Sequence, residues 1–265
     1  MAKLNILPVP TFAHLGVNFT ERGAAFSGTE NITVPENTEQ QIIQFRDSDG
    51  ESTVNIGKNA KLKLVQIFTG GCVSKLTSSL EDNAELDIIQ LYHRGDTVSE
   101  IIAELNGHKS VFTADIGYDL STGDELDINL VSLHRGRRTV SDINVSGVLR
   151  DNAKKTFKGT IDFRNKAAGS KGSEKEDVLL MNRNVVNRTV PVILCSEEDV
   201  EGSHGATVGR IDEQHIFYMK SRGIPEEKIY EMMTGCRLMR IIEKIGDGQA
   251  AERICKMLGW GDDID

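Results

Sequence analysis

A repeat of 24 residues constrains the fold more than any other feature of this 265-residue sequence. Residues 59–71 read NAKLKLVQIFTGG and residues 83–95 read NAELDIIQLYHRG, so an Asn-Ala pair, alternating apolar residues and a closing glycine recur in step. Apolar residues two apart indicate a strand with one buried face. One such repeat cannot enclose a core, whereas stacked copies can, and the pattern therefore predicts a β-solenoid.

Two further segments extend the pattern. DELDINLVSLHRG occupies residues 124–136, about 41 residues after the second copy, and DNAKKTFKGTIDF occupies residues 151–163 as a weaker copy. His93 and His134 fall at the same place in two copies, which indicates polar residues at strand ends. An ordinary antiparallel sandwich is the alternative fold, but most turns lack the Asn-Gly or Asp-Gly pair that is typical of two-residue hairpins.

Composition agrees with short stacked strands and excludes some classes of function. The chain has 25 glycines and only 5% aromatic residues, and its net charge of −9 argues against a general nucleic-acid binder. No apolar run approaches the ~20 residues of a membrane span, and the first residues lack the pattern of a signal peptide. The four cysteines form no CxxC motif, so we expect free thiols in a cytoplasmic protein.

The pattern changes after the repeats. Asp212 to Arg222 is predicted to form a helix that stops at Gly223, and Pro225 opens a second helix. The apolar stripe of that helix is predicted to contain Ile229, Met232, Met233, Cys236, Met239 and Ile242. Methionines at this spacing are usually core residues, although Met also suits a docking surface. A last short helix, Gln249 to Leu258, is predicted to stop at Gly259.

We therefore divide the chain into three parts. Residues 1–30 are predicted to be an irregular N-terminal segment, residues 31–210 a parallel β-helix, and residues 211–265 a small C-terminal helical domain. Within the β-helix, the polar segment Asn165 to Asp177 is rich in small and charged residues and is predicted to be an exposed loop between coils.

The densest unusual segment is DVEGSHGATVG, residues 199–209. His204 lies between turn residues, and either it is a turn histidine with local hydrogen bonds or it is a ligand, since imidazole binds iron and zinc. Cys195, nine residues earlier, is either a small buried residue or a thiolate that ligates iron. Glu201 belongs to a nearby run of carboxylates and is a further candidate ligand. Cys72, Cys236 and Cys255 are expected to pack internally.

Several catalytic signatures do not occur in this sequence. It contains no GxxxxGK[ST], GxSxG, HExxH or GxGxxG motif. These are the usual sequence signatures of P-loop ATP hydrolysis, serine hydrolysis, zinc proteolysis and dinucleotide binding, so the sequence does not support any of these functions. We therefore do not expect this chain to be a P-loop ATPase itself.

The segment DVEGSHGATVGRIDEQHIFYMKSRGI, residues 199–224, resembles the C-terminal signature of the SufB/SufD family, the scaffold subunits of the SUF iron–sulfur assembly machinery. The match is specific at Ser203 to Gly209, Ile211-Asp212, Phe217-Tyr218 and Ser221 to Ile224. The resemblance extends over residues ~30 to ~245 and is strongest from about residue 190. It implies a right-handed parallel β-helix with a helical C-terminal domain.

The resemblance also implies partners and a cargo. A SufC-like ABC ATPase would dock on residues ~212–258, and a second SufB/SufD-type subunit, or a second copy of this chain, would pair through the β-helix. Iron or an iron–sulfur cluster would be held transiently near that interface. His204 matches the functionally important histidine of SufD, and Cys195 and Glu201 are its candidate co-ligands.

Two positions depart from the family pattern. Gly202 occupies a place where SufD-like sequences often have a cysteine, and Asn184 aligns near the SufB cysteine thought to receive sulfur or hold the cluster. Cys195 or Cys72 would have to replace that thiol. The chain also lacks the long N-terminal helical region of many SufD proteins, which suggests a compact SufD or a minimal subunit that pairs with itself.

Two other functions compete with the scaffold reading. The chain could be a purely structural β-solenoid subunit that has no cluster ligands of its own. It could also be a carbohydrate-active β-helix enzyme, which would need a carboxyl pair ~5–9.5 Å apart in an aromatic-lined groove. Aromatic residues are too few to favour that second alternative.

Overall fold

A computed structural model describes residues 2–11 and 13–258, and the predicted stop at Gly259 and the rest of the C-terminal tail lie outside those residues. Two short strands, β1 (Ala2–Leu4) and β2 (Thr20–Arg22), pair antiparallel before the main body. The main body is a mainly β solenoid with helices at its C-terminal end, which confirms the predicted fold class.

The solenoid consists of two seven-stranded parallel sheets. The strands are β3 (Thr29–Val34), β4 (Glu39–Arg46), β5 (Gly50–Ile56), β6 (Lys61–Phe68), β7 (Val73–Leu80), β8 (Glu85–His93), β9 (Thr97–Leu105), β10 (Val111–Leu120), β11 (Glu125–His134), β12 (Val140–Leu149), β13 (Lys154–Phe163), β14 (Ser170–Leu180), β15 (Val186–Cys195) and β16 (Val200–Arg210). Odd-numbered strands form one sheet and even-numbered strands the other, so each coil contributes one strand to each sheet.

The coils widen along the chain. Thr29 lies beside Glu51, 22 residues later, at the start of the odd sheet, whereas Lys154 lies beside Val186, 32 residues later, at its end. The 24-residue repeat is one intermediate coil, in which Lys61 lies beside Glu85. Widening coils explain why the repeat fades from the sequence although the stacking continues.

The third sequence copy does not stack on the second. The copies at residues 59–71 and 83–95 are β6 and β8 of the even sheet, whereas residues 124–136 form β11 of the odd sheet. His93 and His134 both end a strand, as predicted, but the two strands belong to different sheets and the two histidines have different surroundings. His134 lies inside the solenoid and hydrogen-bonds to Thr139 and Ser141, whereas His93 lies 3.9 Å from Asp119.

The polar segment predicted to be a loop is mostly strand β14, Ser170–Leu180. Its alternate residues Gly172, Glu174, Glu176 and Val178 are buried. Composition misled the sequence prediction because β14 is paired along both sides, by β12 and by β16, and backbone hydrogen bonds to two neighbours outweigh its weak intrinsic strand propensity.

Three helices follow the last strand: α1 (Glu213–Ser221), α2 (Glu226–Glu243) and α3 (Gly248–Met257). The Asp212 side chain caps α1, as the sequence predicts. The apolar side of α2 and α3 covers the outer face of β6 and β8, where Leu238, Ile241 and Ile254 pack on Val65 and Leu91. None of these helices is both long and apolar enough to cross a membrane.

The apolar stripe of α2 is rotated from the predicted one. Ile229, Leu238 and Ile242 are buried, but Met232 and Cys236 are exposed, so the predicted packing role of Cys236 is wrong. Cys255 is partly buried, with its sulfur 3.8 Å from the Met239 sulfur. Cys72 is fully buried in the solenoid core, as predicted.

Candidate functional site

The C-terminal end of the solenoid is open. β15 and β16 are the last strands of their sheets and each pairs on one side only, with β13 and β14. Nearly every residue of β16 is exposed, and Val208, in register with core residue Val178, is 53% exposed. The described part of the chain therefore leaves the interior of the final coil uncovered.

His204 faces this open interior. It is the register partner of Glu174 in β14, and partners in adjacent parallel strands point to the same side of the sheet. Glu174 points inward because it alternates with Gly172, Glu176 and the core residue Val178. His204 therefore lies at the mouth of the solenoid, directly above a buried carboxyl group.

Cys195 opens onto the same interior but lies farther along it. It is the register partner of Phe163, a core residue, and it is exposed, and its thiol donates a hydrogen bond of 3.0 Å to the Glu197 carbonyl oxygen. Val200 lies at the same corner as Cys195, and His204 is four residue steps farther along β16, a strand length of about 13 Å. The two side chains therefore lie at one opening but are too far apart to bind the same metal ion.

Glu201 lies on the other face of β16. Its carboxylate is 2.8 Å from the Lys171 ammonium on the outside of the solenoid. Because side chains alternate between the two faces of a strand and His204 points inward, Glu201, three residues earlier, points outward. The structure thus brings His204 and Cys195 to one opening and separates Glu201 from both. Within the described residues, no group of three His, Cys, Asp or Glu side chains has the arrangement of a metal site.

Cys72 cannot share this opening. It immediately precedes β7, and four strand steps of the odd sheet separate β7 from β15. At the usual spacing of neighbouring strands this amounts to about 19 Å. Burial raises the pKa of the Cys72 thiol to about 11, so the thiol stays protonated near neutral pH. Of the two thiols considered as replacements for a missing family cysteine, only Cys195 is at the open end.

A buried charged cluster lies directly beneath the opening. The Lys155 ammonium is ion-paired with the Glu176 carboxylate, which also accepts a hydrogen bond of 2.5 Å from the Thr189 hydroxyl. Lys155 is fully buried, and its pKa is lowered by burial. Glu174 reaches across the interior toward Gly159, where a Cβ atom would come within 2.0 Å of its Oε2.

Glu174 differs from Glu176 because no described residue donates a hydrogen bond to it. Burial is the main cause that raises the pKa of Glu174 to about 7, and the neighbouring Glu176 charge adds to the effect. Sequence reasoning missed these residues because the segment that contains them was assigned to a loop. The alternation of residues 172, 174, 176 and 178 was the signal that places the two carboxyls on an inward face.

Exposed apolar side chains mark the helical region. Phe217 on α1 is 75% exposed, Tyr218 is 56% exposed, and Met232 on α2 is 46% exposed. The Arg222 guanidinium lies over the Tyr218 ring at 5.2 Å. Large apolar groups exposed together are typical of protein-interaction surfaces.

Comparison with known proteins agrees with this architecture. Residues 20–235 match the family model described as SUF system FeS cluster assembly, SufBD core domain. The chain is 29% identical over 158 residues to the iron–sulfur cluster assembly protein SufD of Bacillus subtilis, an alignment that covers 58% of this chain and 36% of that protein.

Two further relatives give shorter alignments. SufD of Escherichia coli is 30% identical over 112 residues, which are 42% of this chain and 26% of that protein. SufB of Bacillus subtilis is 29% identical over 112 residues, 42% of this chain and 24% of that protein. The alignments thus span about a quarter to a third of these relatives, whereas the family model covers most of this chain. The chain belongs to the SufB/SufD family of the SUF system for iron–sulfur cluster assembly.

Proposed function

We propose that this chain is a non-catalytic scaffold subunit that holds iron or a nascent iron–sulfur cluster at the open end of its solenoid. The observation that carries the proposal is the exposed His204 at the mouth of the final coil, directly above Glu174. Imidazole and thiolate are both suitable ligands for cluster iron. The cargo is transient, since the opening is exposed rather than enclosed.

His204 is this chain's ligand in this proposal, whereas the Cys195 thiol lies at the corner of the same opening, too far along it to bind the same iron. Glu201 is engaged by Lys171 on the outer face and would have to leave that ion pair to take part. Because one chain offers so few groups at the opening, the remaining ligands come from a second chain. That chain is either another SufB/SufD-type subunit or a second copy of this one.

The open strand edges support pairing at this end. β15 and β16 present unpaired backbone groups along 10 and 11 residues, and such edges are templates for another strand. Pairing there would enclose His204 and Cys195 at the interface. Exposed Ile193 and Val208 would be buried by the same contact.

The helical region is the proposed docking surface for a SufC-like ABC ATPase, which would hydrolyse ATP in the cytoplasm and move the scaffold through α1 and α2. Exposed Phe217, Tyr218 and Met232 support this placement. The test is anaerobic co-expression with a SUF-type ATPase followed by size exclusion. Phe217→Glu/Tyr218→Glu should abolish co-elution, whereas Ile6→Glu/Val9→Glu, a pair of exposed apolar residues outside the helices, should not.

Cargo binding is tested separately by reconstitution. The complex is incubated anaerobically with ferrous iron and sulfide, desalted, and assayed for retained iron and for cluster absorbance. His204→Ala should lose most of the retained iron, whereas His108→Ala, which removes an exposed histidine in a turn, should retain it. Full retention by His204→Ala would leave only the structural role, that of a solenoid partner without its own ligands.

A further inference from the structure

A groove runs between helix α2 and the outer face of the even sheet. Its floor is made by residues of β12, β14 and β16, and its volume of about 660 Å³ lies within the range of small-molecule sites. Its polar lining includes Ser146, Lys175, Thr207, Arg237, Arg240 and Lys244. We call this feature the α2 groove. It lies on the opposite face of β16 from His204.

Cations face the groove from two elements. Arg237, Arg240 and Lys244 are three and four residues apart on α2 and therefore share one side of the helix. Lys175 faces them from β14. The helix dipole favours cations in the last turn of α2, but it gives no reason for Lys175 on the sheet. The concentration of positive charge is distinctive in a chain whose net charge is −9.

Acidic neighbours neutralise only part of this charge. The Lys244 ammonium is 2.6 Å from the Asp115 carboxylate, and Arg237 lies 3.6 Å from Asp177, too far for a hydrogen bond. Arg237 Nε is buried without a hydrogen-bond partner. Among the described residues, no carboxylate lies within ion-pair distance of Arg240 or Lys175.

The floor of the groove leaves space and donors for a ligand. In register, Asn144, Lys175 and Gly205 form one outward row across the sheet, and Ser146, Asp177 and Thr207 form the next. A Cβ atom on Gly205 would meet no atom within 4 Å, so the groove is open on that side. The Ser146 and Thr207 hydroxyls donate no hydrogen bond to any described residue and are available to an acceptor.

We propose that the α2 groove binds a phosphate-bearing small molecule, a function that goes beyond the scaffold role and does not depend on it. The planar Arg240 guanidinium can donate two parallel hydrogen bonds to phosphate oxygens, and Lys175 contributes a point charge from the opposite wall. The hydroxyls of Ser146 and Thr207 are the neutral donors. Ile241 of α2, which lines the groove, supplies an apolar contact for the rest of the ligand.

The test is calorimetric titration of the full chain with pyrophosphate at constant ionic strength, with sodium chloride as the reference. Arg240→Ala/Lys175→Ala should weaken pyrophosphate binding at least about tenfold, since two charge-assisted contacts are lost. Lys58→Ala/Arg137→Ala removes the same charge from exposed turns and should leave the dissociation constant within about twofold, because surface charges at a distance are screened.

Circular dichroism confirms that both double variants are folded before titration. No binding of pyrophosphate by the unsubstituted chain, or equal weakening by the two double variants, overturns the proposal. A parallel titration with a glutamate decapeptide separates a protein partner from a small molecule. Groove-dependent binding of the peptide with none of pyrophosphate would overturn the proposal in favour of an acidic protein segment.

Discussion

His204 stands directly above Glu174, one strand further along the same row of inward-facing side chains. The upper residue is exposed to solvent and the lower one is buried, with no described hydrogen-bond donor. A neutral Glu174 imposes no charge on the opening, whereas an ionised one places a negative charge beneath the imidazole. Protonation of Glu174 near neutral pH thus changes the electrostatic environment of the proposed ligand.

The Glu174→Gln variant should reveal this protonation as a pH-dependent difference in stability. The folded-state pKa of Glu174 is raised from 4.5 to about 7, so between these values the folded protein holds a proton that the unfolded chain has released. Stability contributed by the protonated group is complete below pH 4.5 and is lost as the pH rises through 7. Urea unfolding at pH 8 should show the variant more stable than the unsubstituted chain by about 3 kcal/mol.

That difference should shrink toward zero at pH 4.5. Glu21→Gln, a substitution of an exposed glutamate, should give the same unfolding free energy as the unsubstituted chain at both pH values. A difference between Glu174→Gln and the unsubstituted chain that does not vary with pH would show that packing, not ionisation, sets its size.

Removing one partner of the buried Lys155–Glu176 ion pair should destabilise the fold strongly. Glu176→Leu leaves the ammonium of Lys155 buried without a counter-charge, which costs about 3–5 kcal/mol. The double variant Lys155→Met/Glu176→Leu should recover most of that loss, because it leaves no unpaired charge. Urea midpoints at constant pH measure both effects.

Breaking an exposed pair provides the comparison. Lys171→Ala removes the ion pair with Glu201 and should cost less than about 1 kcal/mol. Equal losses for Lys171→Ala and Glu176→Leu would contradict the assignment of the Lys155–Glu176 pair to a dry interior.

Close backbone stacking at the corners should make Gly107 intolerant of any side chain. A Cβ atom there would lie 2.0 Å from the carbonyl carbon of Glu81 in the preceding coil, and backbone cannot move aside without breaking the stack. Gly107→Ala should therefore lower the unfolding free energy by about 2 kcal/mol or more. Gly70→Ala, at a glycine with no atom within 4 Å of the added carbon, should have little effect on the thermal midpoint.

A charge on the open end should prevent pairing. Val208 is exposed on the inward row of β16, and Val208→Lys would place an ammonium where the proposed second chain would cover the coil. Light scattering of the purified complex should show loss of the paired species, while circular dichroism stays that of a folded solenoid. Val140→Lys, an exposed valine at the start of β12, should leave the paired mass unchanged.

The sequence by itself determined the stacked β architecture, because two adjacent strands of the even sheet, 24 residues apart, repeat inward aliphatic residues in register. It also determined the first helix, through the Asp212 cap, and it identified the family through the segment around His204. These features depend on local residue order or on neighbours one coil apart. Local residue order can be recognised as a motif, and neighbours one coil apart can be recognised as a repeat.

Only the tertiary structure decided which sheet each segment joins and which side chains share an opening. The copy at residues 124–136 resembles β8 in sequence but lies in the opposite sheet, because it is β11, three strands and therefore one and a half coils after β8. The polar strand β14 exists because β12 and β16 pair with it, and its inward Glu176 is balanced by Lys155 from the facing sheet. Pairing between distant segments leaves no periodic signal in the sequence. This pairing alone places Glu174 beneath His204 and directs Glu201 to the outside of the solenoid.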